Sequence, residues 1–205
     1  MYTPSSTLGK PRSTNPNYLV RIDSTAGISL MADMPEQMMI AISNSWEPRF
    51  GSGINEIAGA LDIGTRVAGE NIMVQPFSQL MWMNTTPIEL PLTMMFDAED
   101  DAYSDVFKPM NALELLALPD VQGSLLTAPG PSVANPNRNK ISIFVGRMYH
   151  FPSVVLTSIS SQYDTQRLDA SGYPLAGQVD ITFSTDKVYG KSDWNGISLR
   201  PGGGR

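Results

Sequence analysis

The amino-acid sequence predicts a mainly β fold of the α+β class: one domain with a single flanking helix, a long internal loop and extended termini. Three observations lead there. Runs of β-branched and aromatic residues alternate with polar ones through much of the chain, only one stretch repeats its apolar residues at helical spacing, and Pro- and Gly-rich connections separate the runs. The chain has 205 residues, of which 41% are apolar and 17% charged. That supplies a real core and too few charges for a disordered chain.

Residues 1–17 are rich in Pro, Ser, Thr and Asn, with Lys10 and Arg12 as their charges. This reads as an arm without a core of its own, disordered alone or lying along a neighbouring subunit. The main domain spans 18–189. It opens with strand-like runs at Tyr18–Asp23, Gly27–Pro35 and Gln37–Phe50, an antiparallel meander by their short connections. In the third run Met38, Ile40, Ile42, Asn44 and Trp46 form the expected core face.

Residues 51–76 break the pattern. They are glycine-rich, with scattered aliphatic residues, and Gly59 and Gly64 weaken any helix there. So long a loop is uncommon in a compact domain unless it is functional. Ile54, Ile57, Leu61, Ile63 and Val67 need burial, and a partner surface is the natural place for them. Strand character returns over 78–96, where Pro87 and Pro91 require an edge, a bulge or a strand junction.

The helix is expected over 97–118. Asp97, Glu99, Asp100, Asp101 and Asp105 precede it, as suits the positive end of a helix dipole. Val106, Met110, Leu113 and Ala117 form its apolar stripe, joined by Phe107 and Leu116. Pro109 kinks it or starts its second half, and Pro119 ends it. After a Pro/Gly/Asn-rich connection, three further β runs follow: Ile141–Phe151, Ser153–Asp164 and Gln178–Gly190. In the last of these Val179, Ile181 and Phe183 alternate with Asp180, Thr182 and Ser184. Residues 190–205 read as a second tail, flexible at its glycine-rich end.

Composition excludes much chemistry. Without cysteine there is no disulfide, thiolate metal site or cysteine nucleophile, and one histidine, His150, rules out a multi-histidine metal site in a single chain. The net charge of −6 argues against a surface that coats nucleic acid. No apolar run approaches the length of a membrane span, and no apolar signal segment is seen, so the expected site of synthesis is the cytoplasm. The acidic cluster has the alternate Asp97, Glu99, Asp101 spacing of a calcium loop, but Ala102 replaces the required glycine and Lys108 the closing glutamate. It reads as a helix start. His150 lies in a strand without any nucleophile-elbow motif and reads as structural. The twelve methionines are conformable core filling, with a remainder for an adaptable interface. No catalytic residue, metal site or cofactor site emerges.

The C-terminal third carries a more specific pattern. A strand rich in small residues leads into a loop with Asp169, Gly172 and Pro174, and then into the alternating strand Gly177–Asp186. This order, with the helix segment of FDAEDDAYSDVFKPMNALELL, resembles the tail tube proteins of phages with contractile tails, most closely the tube initiators at the baseplate junction. The resemblance covers about eighty residues. It implies a β-sandwich or barrel and a hexameric ring that nucleates or continues the tube. Adjacent tail tube and baseplate hub proteins would be its partners, and a tape-measure protein a further one. It also implies a place in the virion tail, DNA passing through the bore without specific contacts, and no membrane insertion. By the same resemblance, the 51–76 loop, with Ile54, Ile57, Leu61, Ile63, Arg66 and Val67, would stack rings. Val179, Asp180, Ile181, Thr182 and Phe183 would pair between subunits. The nearest rival is an ordinary repeating tube subunit. Two other classes stand apart: a carbohydrate-binding β-sandwich using Trp46, Trp82 and Trp194, and an enzyme built on Asp164, Asp169 and Asp180.

Overall fold

A computed structural model describes residues 7–48, 80–122, 124–131, 135 and 137–198. The fold is mainly β, with a curled half-barrel sheet and two helices. By compactness the chain divides into a main unit, residues 1–41 and 87–205, and a second unit, residues 42–86.

The main unit is built on one six-stranded antiparallel sheet. Its strands are β1 (Leu19–Ser24), β2 (Ser29–Asp33), β5 (Glu89–Asp97), β8 (Ile141–Val145), β9 (Tyr149–Tyr163) and β10 (Ala176–Thr185), and the short β6 (Asp120–Gln122) and β7 (Leu125–Thr127) pair with each other outside it. They lie in the order β2-β1-β8-β9-β10-β5. Period-2 alternation decides which face is dry. Val20 and Ile22, Leu30 and Ala32, and Ile141, Ile143 and Val145 are buried. So are Leu90, Leu92, Met94 and Phe96 of β5 and Val179, Ile181 and Phe183 of β10. All join one core. Proline marks the irregular places. Pro152 sits in β9 where its register against β8 shifts, and Pro87 falls between the fourth and fifth strands.

The edge strand β5 uses Pro91 in the way its chemistry requires. Glu89 turns its N–H and C=O away from β10, exchanging hydrogen bonds with Ala41 at 3.1 and 3.0 Å. By alternation Pro91 lies on the same outward set, where a missing donor costs the ladder nothing.

The helix begins later than the acidic run suggests. Asp97 still belongs to β5, a π-helical turn spans Tyr103–Phe107, and α1 spans Lys108–Ala117. Pro109 lies in its first turn, so of the two readings it starts the second half. Val106, Met110, Leu113 and Leu116 face the core. Met110 reaches the sheet at Gly177, where a Cβ would stand 2.3 Å from its Sδ. The acids are a helix start, as expected. The Asp105 carboxylate accepts the backbone N–H groups of Glu99, Asp100 and Asp101 at 3.0–3.3 Å. Burial, the largest influence, raises its pKa, and those three donors together outweigh burial and leave it lowered.

Three expectations are corrected. The run 37–50 is not the third strand of a meander: Pro35 interrupts the chain, and only Asn44–Pro48 is strand (β3), paired in the second unit with β4, Leu80–Thr85. Of its expected core face, Met38 and Ile40 pack on the core, whereas Ile42 and Trp46 are more than half exposed. Residues 190–205 are not wholly a tail. Lys191–Ile197 forms a second helix, α2, because Trp194 and Ile197 share a face. Trp194 lies against Tyr149 and Phe151 with ring centroids at 5.7 and 6.5 Å, and Ile197 is buried. Finally, residues 8–13 of the arm follow the chain's own β2 instead of standing free.

Two outcomes test this packing. Gly177→Ala should destabilise the domain by about 1–3 kcal/mol by displacing the fully buried Met110 side chain, and adding Met110→Ala should make the pair less damaging than the sum of the singles. Urea unfolding of the four proteins measures both. Asp105→Ala should cost about 1–3 kcal/mol near neutral pH. Because the folded pKa of Asp105 is below its unfolded value, its contribution is present above the ordinary carboxylate range and lost as pH falls through it. The gap between wild type and variant should therefore close on acidification.

Candidate assembly surfaces

The five residues expected to pair between subunits lie in β10. Val179, Ile181 and Phe183 point into the core, and Asp180 and Thr182 point to the opposite face. β10 is hydrogen-bonded to β9 on one side and β5 on the other, from residue 177 to residue 184. It has no free ladder edge, so it cannot be the strand that meets a neighbour. The sheet's edges are β2 and β5 instead. The loop residues Ile54, Ile57, Leu61, Ile63, Arg66 and Val67 lie outside the described residues.

What the strand does supply is half of a polar face. In register across the sheet stand Gln162, Gln178 and Met95, then Ser160, Asp180 and Thr93, then Ser158, Thr182 and Pro91. Asp180 accepts a hydrogen bond from Thr93 Oγ1 at 2.7 Å and from Gln178 Nε2 at 3.3 Å. With Glu89 and Ser184 at the next position and Asp97 at the opposite end, the strand residues of this face include three carboxylates and no lysine or arginine, while Arg12, paired with Asp97, and Arg167, beside Gln162 and Gln178, stand at that end. Ser158, Ser160, Gln162 and Thr93 are exposed on it. Neutral-to-acidic strand residues of this kind offer nothing to attract phosphate. Alternation along β10 was visible in the sequence, but the matching rows from β9 and β5 require the register.

In the second unit the described residues form a two-stranded antiparallel ribbon, β3–β4, whose side chains are almost all exposed. Ile42, Trp46, Leu80, Met81, Trp82 and Met83 are each about half or more accessible, and Trp46 and Trp82 are register partners. Trp82 Nε1 donates to Thr85 Oγ1 at 3.1 Å, which in turn donates to Asn44 Oδ1 at 2.6 Å. The six apolar side chains together make a substantial exposed patch among the described residues. The third tryptophan, Trp194, is spent on anchoring α2.

The remaining candidates have structural duties. His150 stacks on Phe144 at 4.0 Å with the planes 5° apart, and Arg21 lies 4.5 Å from the same ring. Burial and then the Arg21 charge lower its pKa. Asp164 pairs with Arg167 at 2.6 Å. Asp169 accepts the N–H groups of Ser171 and Tyr173, both at 2.8 Å, and so closes the loop whose Gly172 has φ +87°. Among the described residues no three Asp, Glu or His side chains are placed to hold a metal, and no helix is long and apolar enough to cross a membrane. Compared with known proteins, the chain matches no established family and no curated sequence.

Proposed function

We propose that the protein is a structural subunit of a phage contractile-tail tube: a ring-former, most like an initiator at the baseplate, that lets DNA pass through its bore. The observation that carries this reading is the face of β5, β9 and β10 whose strand residues include three carboxylates and no lysine or arginine, one side of a sheet whose other side is the core. Such a face suits a wall past which a polyanion must slide without sticking. The exposed apolar ribbon β3–β4 supports it, since a ring that contacts neighbours above and below needs surface that is dry only after assembly. The protein's role in this reading is scaffolding, with adjacent tube and hub subunits as partners and no chemistry of its own.

A second reading rests on the Trp46–Trp82 pair, two exposed indoles that the ribbon holds opposite each other. Carbohydrate-binding sites use aromatic surfaces of this sort. Retention of a monomer on an immobilised glycan, lost in Trp82→Ala, would favour it.

Negative-stain microscopy with mass photometry over a range of concentrations tests the main reading. Closed rings or short tubes with a central bore are expected, and a monomer at every attainable concentration contradicts it. Trp46→Ser with Trp82→Ser should leave the unfolding temperature of the main unit unchanged and raise the concentration needed for assembly by about tenfold or more, equivalent to roughly 1.4 kcal/mol or more. Assembled Ser160→Lys/Thr182→Lys protein should gain salt-dependent DNA binding that the wild type lacks, read by mobility shift.

A further inference from the structure

The two edges of the half-barrel, β2 and β5, do not face open solvent along their whole length. The N-terminal arm lies at both. Leu8 donates its N–H to Ser29 O at 2.7 Å and accepts from Met31 N at 2.9 Å, which places it in parallel pairing on the outer edge of β2. Arg12 and Ser13 each donate a backbone N–H to the Asp33 carboxylate at 3.0 Å. Across the seam, the Arg12 guanidinium meets Asp97 at the end of β5, 2.5 Å away, and the Lys10 ammonium meets Glu99 at 3.1 Å and Asp100 closer still. Hydrogen bonding to Asp100, then to Glu99, raises the lysine's pKa, so it stays charged throughout the physiological range. Arm, β2 and β5 together enclose a small cavity, the mark of a segment seated between two edges.

The attachment is specific yet shallow. Gly9 adopts φ +83°, and a Cβ there would stand 2.3 Å from the Met31 carbonyl oxygen, so only glycine lets the arm approach β2 this closely. The ion pairs, by contrast, are exposed, with 45% and 70% of the Lys10 and Arg12 side chains accessible. Exposed pairs are individually weak and screened by salt. No residue of the arm from Leu8 to Ser13 is fully buried. The arm can therefore leave without unfolding the sheet beneath it. Its departure frees the Met31 donor and the Ser29 acceptor on an edge strand, which is the template onto which another strand adds.

We propose that residues 8–13 are a releasable strap that keeps the β2 edge from pairing until assembly, and that the strand it excludes belongs to a second copy of this chain. The choice of partner rests on the ring reading above. The other edge is poorly suited to compete, because Pro91 removes one outward donor of β5 and Ala41 occupies Glu89.

The test compares wild type with Gly9→Ala, which obstructs the strap sterically, and with Lys10→Ala/Arg12→Ala, which removes its ion pairs. Hydrogen exchange at the Met31 amide reports strap release, and sedimentation velocity reports self-association. Both variants should keep the wild-type unfolding temperature, exchange Met31 faster, and associate at about tenfold lower concentration. Faster Met31 exchange with unchanged or weaker association overturns the proposal, and so does a Met31 amide that stays protected in both. Enhanced association into open fibres without a bore would uphold the strap and contradict the ring. Closed rings that form equally well in all three proteins would do the reverse.

Discussion

The approach of Met110 to the bare backbone at Gly177 is the constraint on which the rest of the domain depends. A helix covering the inside of a curled sheet must come close enough to exclude water, and the fully buried Met110 does so only where β10 has no side chain. Tyr163 helps fix the same contact from β9, donating its hydroxyl to Glu114 of α1 at 2.9 Å; burial and then that carboxylate push its pKa up to about 12. Asp105 holds the turn that delivers the helix by gathering three backbone donors that would otherwise be unpaired. With α1 seated, the inward apolar residues of β5 and β10 are dry.

The outward residues follow from the same alternation. Each inward Val179, Ile181 and Phe183 obliges a neighbour to face the other way, and those neighbours are Gln178, Asp180, Thr182 and Ser184. Because β9 and β5 pair with β10 over its whole length, their polar residues fall into the same rows. One strand thus divides a core from a polar wall. It is also why β10 cannot serve as the joint between subunits: a strand that organises the centre of a sheet has no edge left to offer. Any pairing between copies through this sheet would have to use its margins, which are β2 and β5.

How much of this was legible in the sequence depends on the range of the interactions. The alternating strands at 19–24, 141–145 and 176–185, and the stripe through Val106, Met110 and Leu113, are short-range signals and could be read directly, whereas the run 78–96 read as one strand pattern is split at Pro87 into β4 and β5. The role of Pro91 at an edge was likewise local. Others were not. Lys10 finds Asp100 across 90 residues and Arg12 finds Asp97 across 85, so a polar, proline-rich arm looked free when it is tied down. The pairing of β3 with β4 crosses the 31 residues from 49 to 79, which hid the meeting of Trp46 and Trp82. Helix α2 has seven residues, among them Asn195 and Gly196, both poor helix formers, and it owes its existence to Trp194 and Ile197 finding the core. Pattern reading could not see contacts made only by the finished fold.

The most direct test of the central claim is electron cryo-microscopy of the assembled protein, because it shows where the polar face of β5, β9 and β10 ends up. The account predicts a closed ring in which Ser160, Asp180 and Thr182 line the bore, with β2, β5 and the β3–β4 ribbon at the contacts between copies. A ring with those three residues on its outer surface or buried between subunits would contradict it.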